Sequence, residues 1–248
     1  MNKLIRNAHG ERLDYSYTPG TGDRKTGWIV LLGHGVTGNR ERPVITDTAR
    51  ALNAAGFDTL AFSFSGNGDS EGDFRKSTIS KEVADLGCVL DAVHGVYRKI
   101  AYIGHSMGGA VGVLRAAADE RIRLLITLAG MINTRNFAET EFGDVIPDKG
   151  CMWEDEDCPL SSAFMNDLCE TVSSVLPQAA HVRIPWLLIH GTADDVVLPA
   201  DTEAVRALEM DATDFLLIEG ADHSFSEATH NARMTEAVCA WLCKQTGG

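Results

Sequence analysis

The sequence has no apolar run of the roughly 20 residues that a helix needs to cross a bilayer. Its amino-terminal stretch MNKLIRNAHGERLDY also lacks the apolar core of a secretory signal peptide. Because neither a membrane span nor an export signal is found, we expect a cytoplasmic protein without stable membrane association.

Positive charge is scarce as well. The 22 Lys and Arg residues face 35 Asp and Glu residues, which gives a formal net charge of −13. This balance opposes binding to phosphate backbones, so nucleic acid is not an expected partner. The 44% hydrophobic and 23% charged fractions are those of an ordinary globular protein. We expect a small-molecule substrate. The sequence leaves open whether the protein forms a homodimer.

Metal and phosphate motifs are missing. The six cysteines have no C-x-x-C spacing, and no G-x-x-x-x-G-K-[ST] loop occurs. The sequence therefore predicts free thiols and neither a metal nor an organic cofactor. A bridge between Cys151 and Cys158 is conceivable, but nothing else in the sequence supports it.

Strand-like and helix-like segments alternate along the chain. Near-continuous apolar runs suit strands that are covered on both faces, and helical patterns separate them. This alternation predicts a single α/β domain over residues 1–248, with a mostly parallel sheet and helices on both of its faces. The predicted strands lie at 28–33, 59–66, 100–104, 124–130, 186–191 and 215–220. The predicted helices lie at about 43–55, after Ser80 as a cap, after Ser106, at about 200–209 and at about 226–244.

Two segments depart from the alternation. Residues 7–13 predict a turn between two short antiparallel strands at one edge. From 131 to about 185 no strong strand run occurs, and this stretch is too long for an ordinary connection. Its aromatic residues, Trp153 among them, indicate a cap inserted over the carboxyl edge of the sheet, where ligands of such folds bind. The acidic run at 154–157 is instead typical of a solvated loop.

The stretch GHSMGG places Ser106 between Gly104 and Gly108, where a buried strand must turn sharply into a helix. Such a turn pushes a serine hydroxyl outward, as a nucleophile requires. A serine that starts a helix can also cap backbone N–H groups, so the pentapeptide alone leaves both interpretations open.

Candidates for the other catalytic groups follow the ends of other strands. His223 in GADHSF can act as the base, and Asp194 or Asp195 in HGTADDVV can orient it. The glycine-rich loop LGHGVTGNRER can aim the Val36 N–H at an oxyanion, with the Met107 N–H as the second donor.

Three further side chains are candidates for binding the substrate. His34 and His105 abut the ends of predicted strands, as His190 does, and Trp153 belongs to the predicted cap. We expect His34, His105 and Trp153 to line the substrate site.

The order of these pieces (oxyanion loop, serine, aspartate, histidine) typifies α/β-hydrolases. The chain resembles this superfamily along nearly its whole length. Within it, the chain is most similar to bacterial serine esterases of the cinnamoyl/feruloyl esterase and monoacylglycerol lipase-like group. The matching stretches are HGVTGNR, FSFSGNGDSEGDF, GHSMGG, HGTADDVV and GADHSF.

The resemblance implies the α/β-hydrolase fold, with a twisted, mostly parallel sheet of about eight strands and a cap at about 131–185 that shapes an acyl or aryl pocket. In the family pattern the acid lies three residues past a glycine, which favours Asp194 over Asp195. The family's turn G-H-G-x-S-x-G reads GNGDSEG here, with Asn67 in the second position. A substrate preference that depends on this turn therefore does not transfer.

We therefore expect a serine carboxylic-ester hydrolase that acts on small to medium acyl or aryl esters through an acyl-enzyme. Ser106, His223 and Asp194 would form its catalytic triad. Thioesterase, C–C hydrolase, amidase and perhydrolase activities use the same triad and remain alternatives. A non-catalytic receptor or scaffold is a further alternative, because a fold alone does not fix a function.

Overall fold

A computed structural model describes residues 3–21 and 27–247 of the chain, so the domain predicted over 1–248 includes a few residues outside this description. The strands are β1 (Ile5–Arg6), β2 (Arg12–Leu13), β3 (Tyr15–Thr18), β4 (Trp28–Gly33), β5 (Asp58–Phe62), β6 (Lys99–His105), β7 (Ile122–Leu128), β8 (Trp186–Gly191) and β9 (Thr213–Ile218). The helices are α1 (Pro43–Ala54), α2 (Ile79–His94), α3 (Met107–Ala118), α4 (Thr134–Phe142), α5 (Ser162–Asn166), α6 (Leu176–Ala179), α7 (Ala200–Arg206) and α8 (Ala228–Gln245).

The central sheet has seven strands in the order β3-β5-β4-β6-β7-β8-β9. All neighbours are parallel except β3, which pairs antiparallel with β5 at one edge. This is the predicted α/β-hydrolase architecture, with seven strands in the sheet where about eight were expected. The predicted turn at 7–13 joins β1 to β2, but these two strands form a separate two-stranded sheet and not the edge of the main one.

Strand β4 shows why the central runs are apolar without interruption. Successive side chains of a strand point to opposite faces, and both faces of this sheet are covered. Ile29 and Leu31 pack into the core beneath α2 and α3, whereas Val30 and Leu32 pack into the core beneath α1 and α8. A polar residue at any of these positions would therefore be buried.

Helix α2 begins differently from the prediction. Its N-cap is Thr78, whose hydroxyl oxygen accepts the Lys81 N–H at 3.2 Å. Ser80, the expected cap, lies inside the first turn and donates its N–H and its hydroxyl to the Asp167 carboxylate at 3.0 and 2.6 Å. Serine and threonine are both good N-cap residues. Because the Asp167 carboxylate binds Ser80, Thr78 is the residue that caps the helix.

Two carboxylates anchor the segment at 131–185 to the rest of the domain, one at its start and one in its later part. Asp167 holds its later part to α2 through Ser80. At its start, the Asp201 carboxylate of α7 accepts the N–H groups of Ile132 and Asn133 at 2.6 and 3.0 Å. The assignment of this segment as a separate cap stays a prediction.

The same segment contains helices α4, α5 and α6, a 3₁₀ turn at Met152–Glu154 and a π-helical turn at Asp167–Val172. Its aromatic rings pack edge to face, with Phe142 4.9 Å from Trp153 and 5.7 Å from Phe137 between ring centroids. Cys151 and Cys158 both carry free thiols, as do the other four cysteines.

None of the helices within residues 3–21 and 27–247 combines the length and the apolar character needed to cross a membrane.

The close packing at the sharp turn between β6 and α3 predicts that a larger residue there lowers stability. A Cβ on Gly104 would lie 2.1 Å from the Gly108 carbonyl oxygen, a backbone atom that cannot rotate away. We expect Gly104→Ala to lower the free energy of unfolding by about 3 kcal/mol or more. The control is Gly95→Ala, because a Cβ at Gly95 meets open space on right-handed backbone. Urea unfolding of both variants tests this, and equal stability of the two would contradict it.

Candidate active site

Ser106 lies at the elbow between β6 and α3, with φ 55° and ψ −122°, a strained conformation for a residue with a side chain. Gly108 permits this turn, because a Cβ there would lie 2.4 Å from the His34 carbonyl oxygen. The Ser106 hydroxyl makes no capping bond to the helix. Of the two interpretations left open by the sequence, helix capping is therefore wrong, and the role of Ser106 as a nucleophile stays a prediction.

His223 is held by Asp194. Its Nδ1–H donates to the Asp194 Oδ2 at 2.8 Å, which leaves Nε2 as the basic nitrogen of the neutral ring. The other carboxylate oxygen of Asp194 accepts the N–H groups of Val196 and Val197 at 3.0 and 2.9 Å. Asp194 is buried, whereas Asp195 is exposed. The geometry therefore assigns the orienting carboxylate to Asp194.

A second imidazole contacts the same carboxylate. His190 is fully buried, and its Nε2 lies 2.8 Å from the Val197 carbonyl oxygen and 3.1 Å from the Asp194 Oδ2. Both neighbours only accept, so Nε2 carries a proton and the Thr202 hydroxyl donates to Nδ1 at 2.7 Å. Burial alone would raise the pKa of the Asp194 carboxyl, but hydrogen bonds from His190 and His223 outweigh it and hold that pKa below its usual range.

The position of His190 at a strand end suggests, as for His34 and His105, that it lines the site, but its ring is fully buried against Asp194 and does not line the cavity. The available signal was its position in HGTADD, four residues before the acid at the carboxyl end of β8. The sequence could not show that the loop after β8 folds back on His190. This fold brings the Asp194 carboxylate and the Val197 carbonyl oxygen to the same nitrogen, Nε2.

His34 and His105 hold backbone segments around the elbow. The Phe64 N–H donates to the His34 Nε2 at 3.0 Å, so the His34 proton sits on Nδ1 and donates to the Gly35 carbonyl oxygen at 2.8 Å. The His105 Nε2–H donates to the His223 carbonyl oxygen at 2.9 Å, and the two rings lie 4.9 Å apart. Burial lowers the pKa of His34 to about 4 and, with the nearby His223, the pKa of His105 to about 3. Both rings are therefore neutral near pH 7.

Val36 and Met107 stand beside the nucleophile as predicted oxyanion donors. Within the described part of the chain, neither N–H has a backbone hydrogen-bond partner. Gly35 packs directly on the elbow, because a Cβ there would lie 2.6 Å from the Ser106 Cβ. The loop after β4 and the first turn of α3 thus present free donors next to the serine, as oxyanion binding requires.

Ser106 and His223 open onto one cavity of about 1050 Å³. His105 and Val36 line it from the core, and Phe137 and Trp153 line it from the segment at 131–185. The Trp153 Nε1–H donates to the Glu141 carboxylate at 2.7 Å, which fixes the indole. Of the three predicted substrate-binding residues, His105 and Trp153 line the cavity. His34 belongs to the oxyanion loop but does not line the cavity, because its ring binds the Gly35 and Phe64 backbones.

Among the described residues, no group of three or more His, Cys, Asp or Glu side chains is placed to hold a metal ion.

The buried neutral histidines make stability depend on pH. A histidine whose pKa falls on folding is protonated only in the unfolded chain between its two pKa values. Its contribution is therefore complete above about pH 6.5 and is lost as the pH falls toward 4. By pH 5.5 the His34 contribution has dropped by about 1.4 kcal/mol. Urea unfolding at pH 7.5 and at pH 5.5 gives the loss of the free energy of unfolding in each protein. We expect this loss to be smaller in His34→Gln than in the wild type by about that amount.

The control is His181→Gln, which changes an exposed histidine and should show the wild-type loss. A loss in His34→Gln equal to that of the wild type would refute the role of His34 in this pH dependence.

The contact between His190 and Asp194 predicts an effect on activity. His190→Leu removes one donor to the carboxylate that holds His223, so the pKa of Asp194 rises and the carboxylate is held less firmly. We expect kcat/KM near neutrality to fall by about tenfold or more. His190→Gln keeps an N–H donor and should restore most of the activity. An unchanged kcat/KM in His190→Leu would reduce His190 to a packing residue.

Comparisons with known proteins fit this geometry. Residues 24–146 match the Hydrolase_4 family model, which is described as serine aminopeptidase, S33. The matched range contains the oxyanion loop and Ser106, whereas Asp194 and His223 lie beyond it. No curated protein sequence matches the chain significantly.

Solved structures share the fold over almost the whole chain. Est1E from Butyrivibrio proteoclasticus with bound ferulic acid is 24% identical, with a TM-score of 0.87 and coverage of 99% of this chain and 100% of that one. Mouse alpha/beta hydrolase domain-containing protein 10 is 19% identical, with a TM-score of 0.78 and 98% of each chain covered. The esterase domain of a Rhodothermus marinus protein is 20% identical, with a TM-score of 0.75 and coverage of 98% and 97%. The chain is a serine hydrolase with the α/β-hydrolase fold.

Proposed function

We propose that the protein hydrolyses carboxylic esters through an acyl-enzyme. The observation that carries this proposal is the joint placement of Ser106 and His223 on one cavity, with the imidazole fixed by a buried carboxylate. A base held in one tautomer beside a free hydroxyl is the arrangement that activates serine for attack on an acyl carbon.

The proposed reaction has two halves. Ser106 attacks the ester carbonyl while His223 takes its proton, and the Val36 and Met107 N–H groups stabilise the oxyanion of the tetrahedral intermediate. Asp194 stabilises the imidazolium that forms. His223 then protonates the leaving alcohol, and a water molecule repeats the sequence to release the acid.

The cavity walls support small to medium acyl or aryl esters as substrates. Phe137 and Trp153 give the cavity an aromatic wall. Such a wall suits an apolar or aromatic group attached to the ester. The ferulic acid named with Est1E is an aryl acid, which agrees with this proposal.

Amide hydrolysis is the second candidate, because the matching family model is described by an aminopeptidase. The same triad can cleave an amide, and the difference lies in how the leaving amine is bound and protonated. Direct comparison of an ester with its matched anilide separates the two candidates.

Replacement of the nucleophile tests the proposal. We expect Ser106→Ala to lower kcat for 4-nitrophenyl acetate, 4-nitrophenyl butyrate and methyl ferulate on the order of 10⁴-fold or more. The control is Ser226→Ala, which removes another hydroxyl that lines the cavity and should stay near the wild-type rate.

The measurement is product release, by absorbance for the nitrophenyl esters and by chromatography for the ferulate. Comparable rates in Ser106→Ala and wild type would end the proposal, and faster cleavage of 4-nitroacetanilide than of 4-nitrophenyl acetate would favour the amide candidate.

A further inference from the structure

The catalytic cavity continues past the triad into an arm between the start of α1 and the side of α8. Arg42, Val44 and Ala51 line this arm on the α1 side. Asn231 and Thr235 of α8 line its other side. A substrate longer than the space around Ser106 could extend into this arm.

The arm contains one guanidinium without a counter-charge. The charged residues among the described lining residues are Arg42, Asp47 and Arg50. Arg50 and Asp47 pair with each other at 2.8 Å. Arg42 donates one N–H to the Thr37 carbonyl oxygen at 3.1 Å, and no described carboxylate lies within 4 Å of it. Arg42 therefore keeps a free positive charge and several free donors at the cavity.

Two neighbouring features do not oppose this charge. Arg42 is the N-cap residue of α1, and the first turn of that helix contains no acidic residue. The positive end of the helix dipole thus adds to the guanidinium rather than opposing it. Closer to Ser106, burial keeps His105 neutral, since its pKa is lowered to about 3.

The net charge of −13 acts at longer range. At physiological ionic strength, charges separated by more than about 8 Å are largely screened. A ligand inside the cavity therefore responds to Arg42 more than to the acidic surface of the molecule.

We propose that this arm binds an ionised carboxylate carried by the substrate, so that the preferred esters are acidic esters with Arg42 as the counter-charge. The proposal rests on the proposed ester hydrolysis and names its substrate class. An Arg side chain binds a carboxylate through two parallel N–H bonds, which also sets the position of the ester relative to Ser106.

The test compares esters that differ only in a carboxylate. On the acyl side, the pair is mono-4-nitrophenyl glutarate and 4-nitrophenyl pentanoate, and on the alcohol side it is 4-acetoxybenzoate and 4-methylphenyl acetate. We expect the wild type to prefer the acidic member of at least one pair after subtraction of the spontaneous rate. Arg42→Gln should lower the ratio of kcat/KM values, acidic over neutral, by about tenfold, mainly through KM. The pair that shows the effect identifies the half of the ester that occupies the arm.

Two variants serve as controls. Arg50→Gln removes a cavity-lining guanidinium that is already paired with Asp47, and we expect it to keep the wild-type ratio. Arg42→Lys keeps the charge and should recover part of the ratio. The proposal is overturned if neither pair shows a preference, if Arg42→Gln leaves the ratio unchanged, or if Arg50→Gln lowers it equally.

A binding measurement separates failure of this proposal from failure of the ester-hydrolase proposal. Calorimetric titration of Ser106→Ala requires no turnover, and it compares monomethyl glutarate with methyl pentanoate and 4-acetoxybenzoate with 4-methylphenyl acetate. We expect tighter binding of the acidic member of at least one pair, and loss of that difference in Ser106→Ala/Arg42→Gln. Equal binding within both pairs refutes the anionic arm even if the esters are hydrolysed, whereas the expected difference supports it even if no ester is turned over.

Discussion

At the elbow, the backbone of β6 and the first turn of α3 lie so close that a Cβ on Gly104 would come within 2.1 Å of the Gly108 carbonyl oxygen. This contact is held from several sides. The Ser106 N–H donates to the Leu128 carbonyl oxygen at 3.0 Å, and the Tyr102 hydroxyl donates to the Gly108 carbonyl oxygen at 3.0 Å. Buried neighbours thus fix the strained backbone of Ser106 at the edge of the cavity that Val36 and His223 also line.

The Asp194 carboxylate organises the other half of the site. One oxygen accepts two backbone N–H groups and the other faces two imidazoles, so the buried charge is fully hydrogen-bonded. A buried carboxylate is tolerated only when its lone pairs are satisfied in this way. This carboxylate therefore holds the Nδ1 side of the His223 ring, so that Nε2 points away from Asp194.

The sequence predicts those features that depend on neighbours along the chain. The elbow at Ser106 follows from the glycines on either side, and the strands follow from runs such as Trp28–Gly33. Features that depend on distant partners were missed. Ser80 could not be separated from Thr78 as a cap, because its partner Asp167 is 87 residues away. His34 looked like a ligand-binding residue because it ends a strand, but its ring is taken up by the Phe64 and Gly35 backbones. Arg42 ends the stretch LGHGVTGNRER, but only the fold shows that it lines the cavity together with α8.

The two carboxylates that anchor the segment at 131–185 have a consequence for how this scaffold diversifies. Asp201 fixes where the segment leaves the sheet, and Asp167 fixes its later part to α2. Between these two points lies the 3₁₀ turn at Met152–Glu154, which carries the cavity-lining Trp153. The exposed positions of that stretch, Trp153 among them, carry neither attachment, whereas its neighbour Met152 is buried in the core. Directed evolution of specificity can therefore vary Trp153 and the other exposed positions with little risk to folding, whereas libraries that include Met152, Asp167 or Asp201 would produce many misfolded variants.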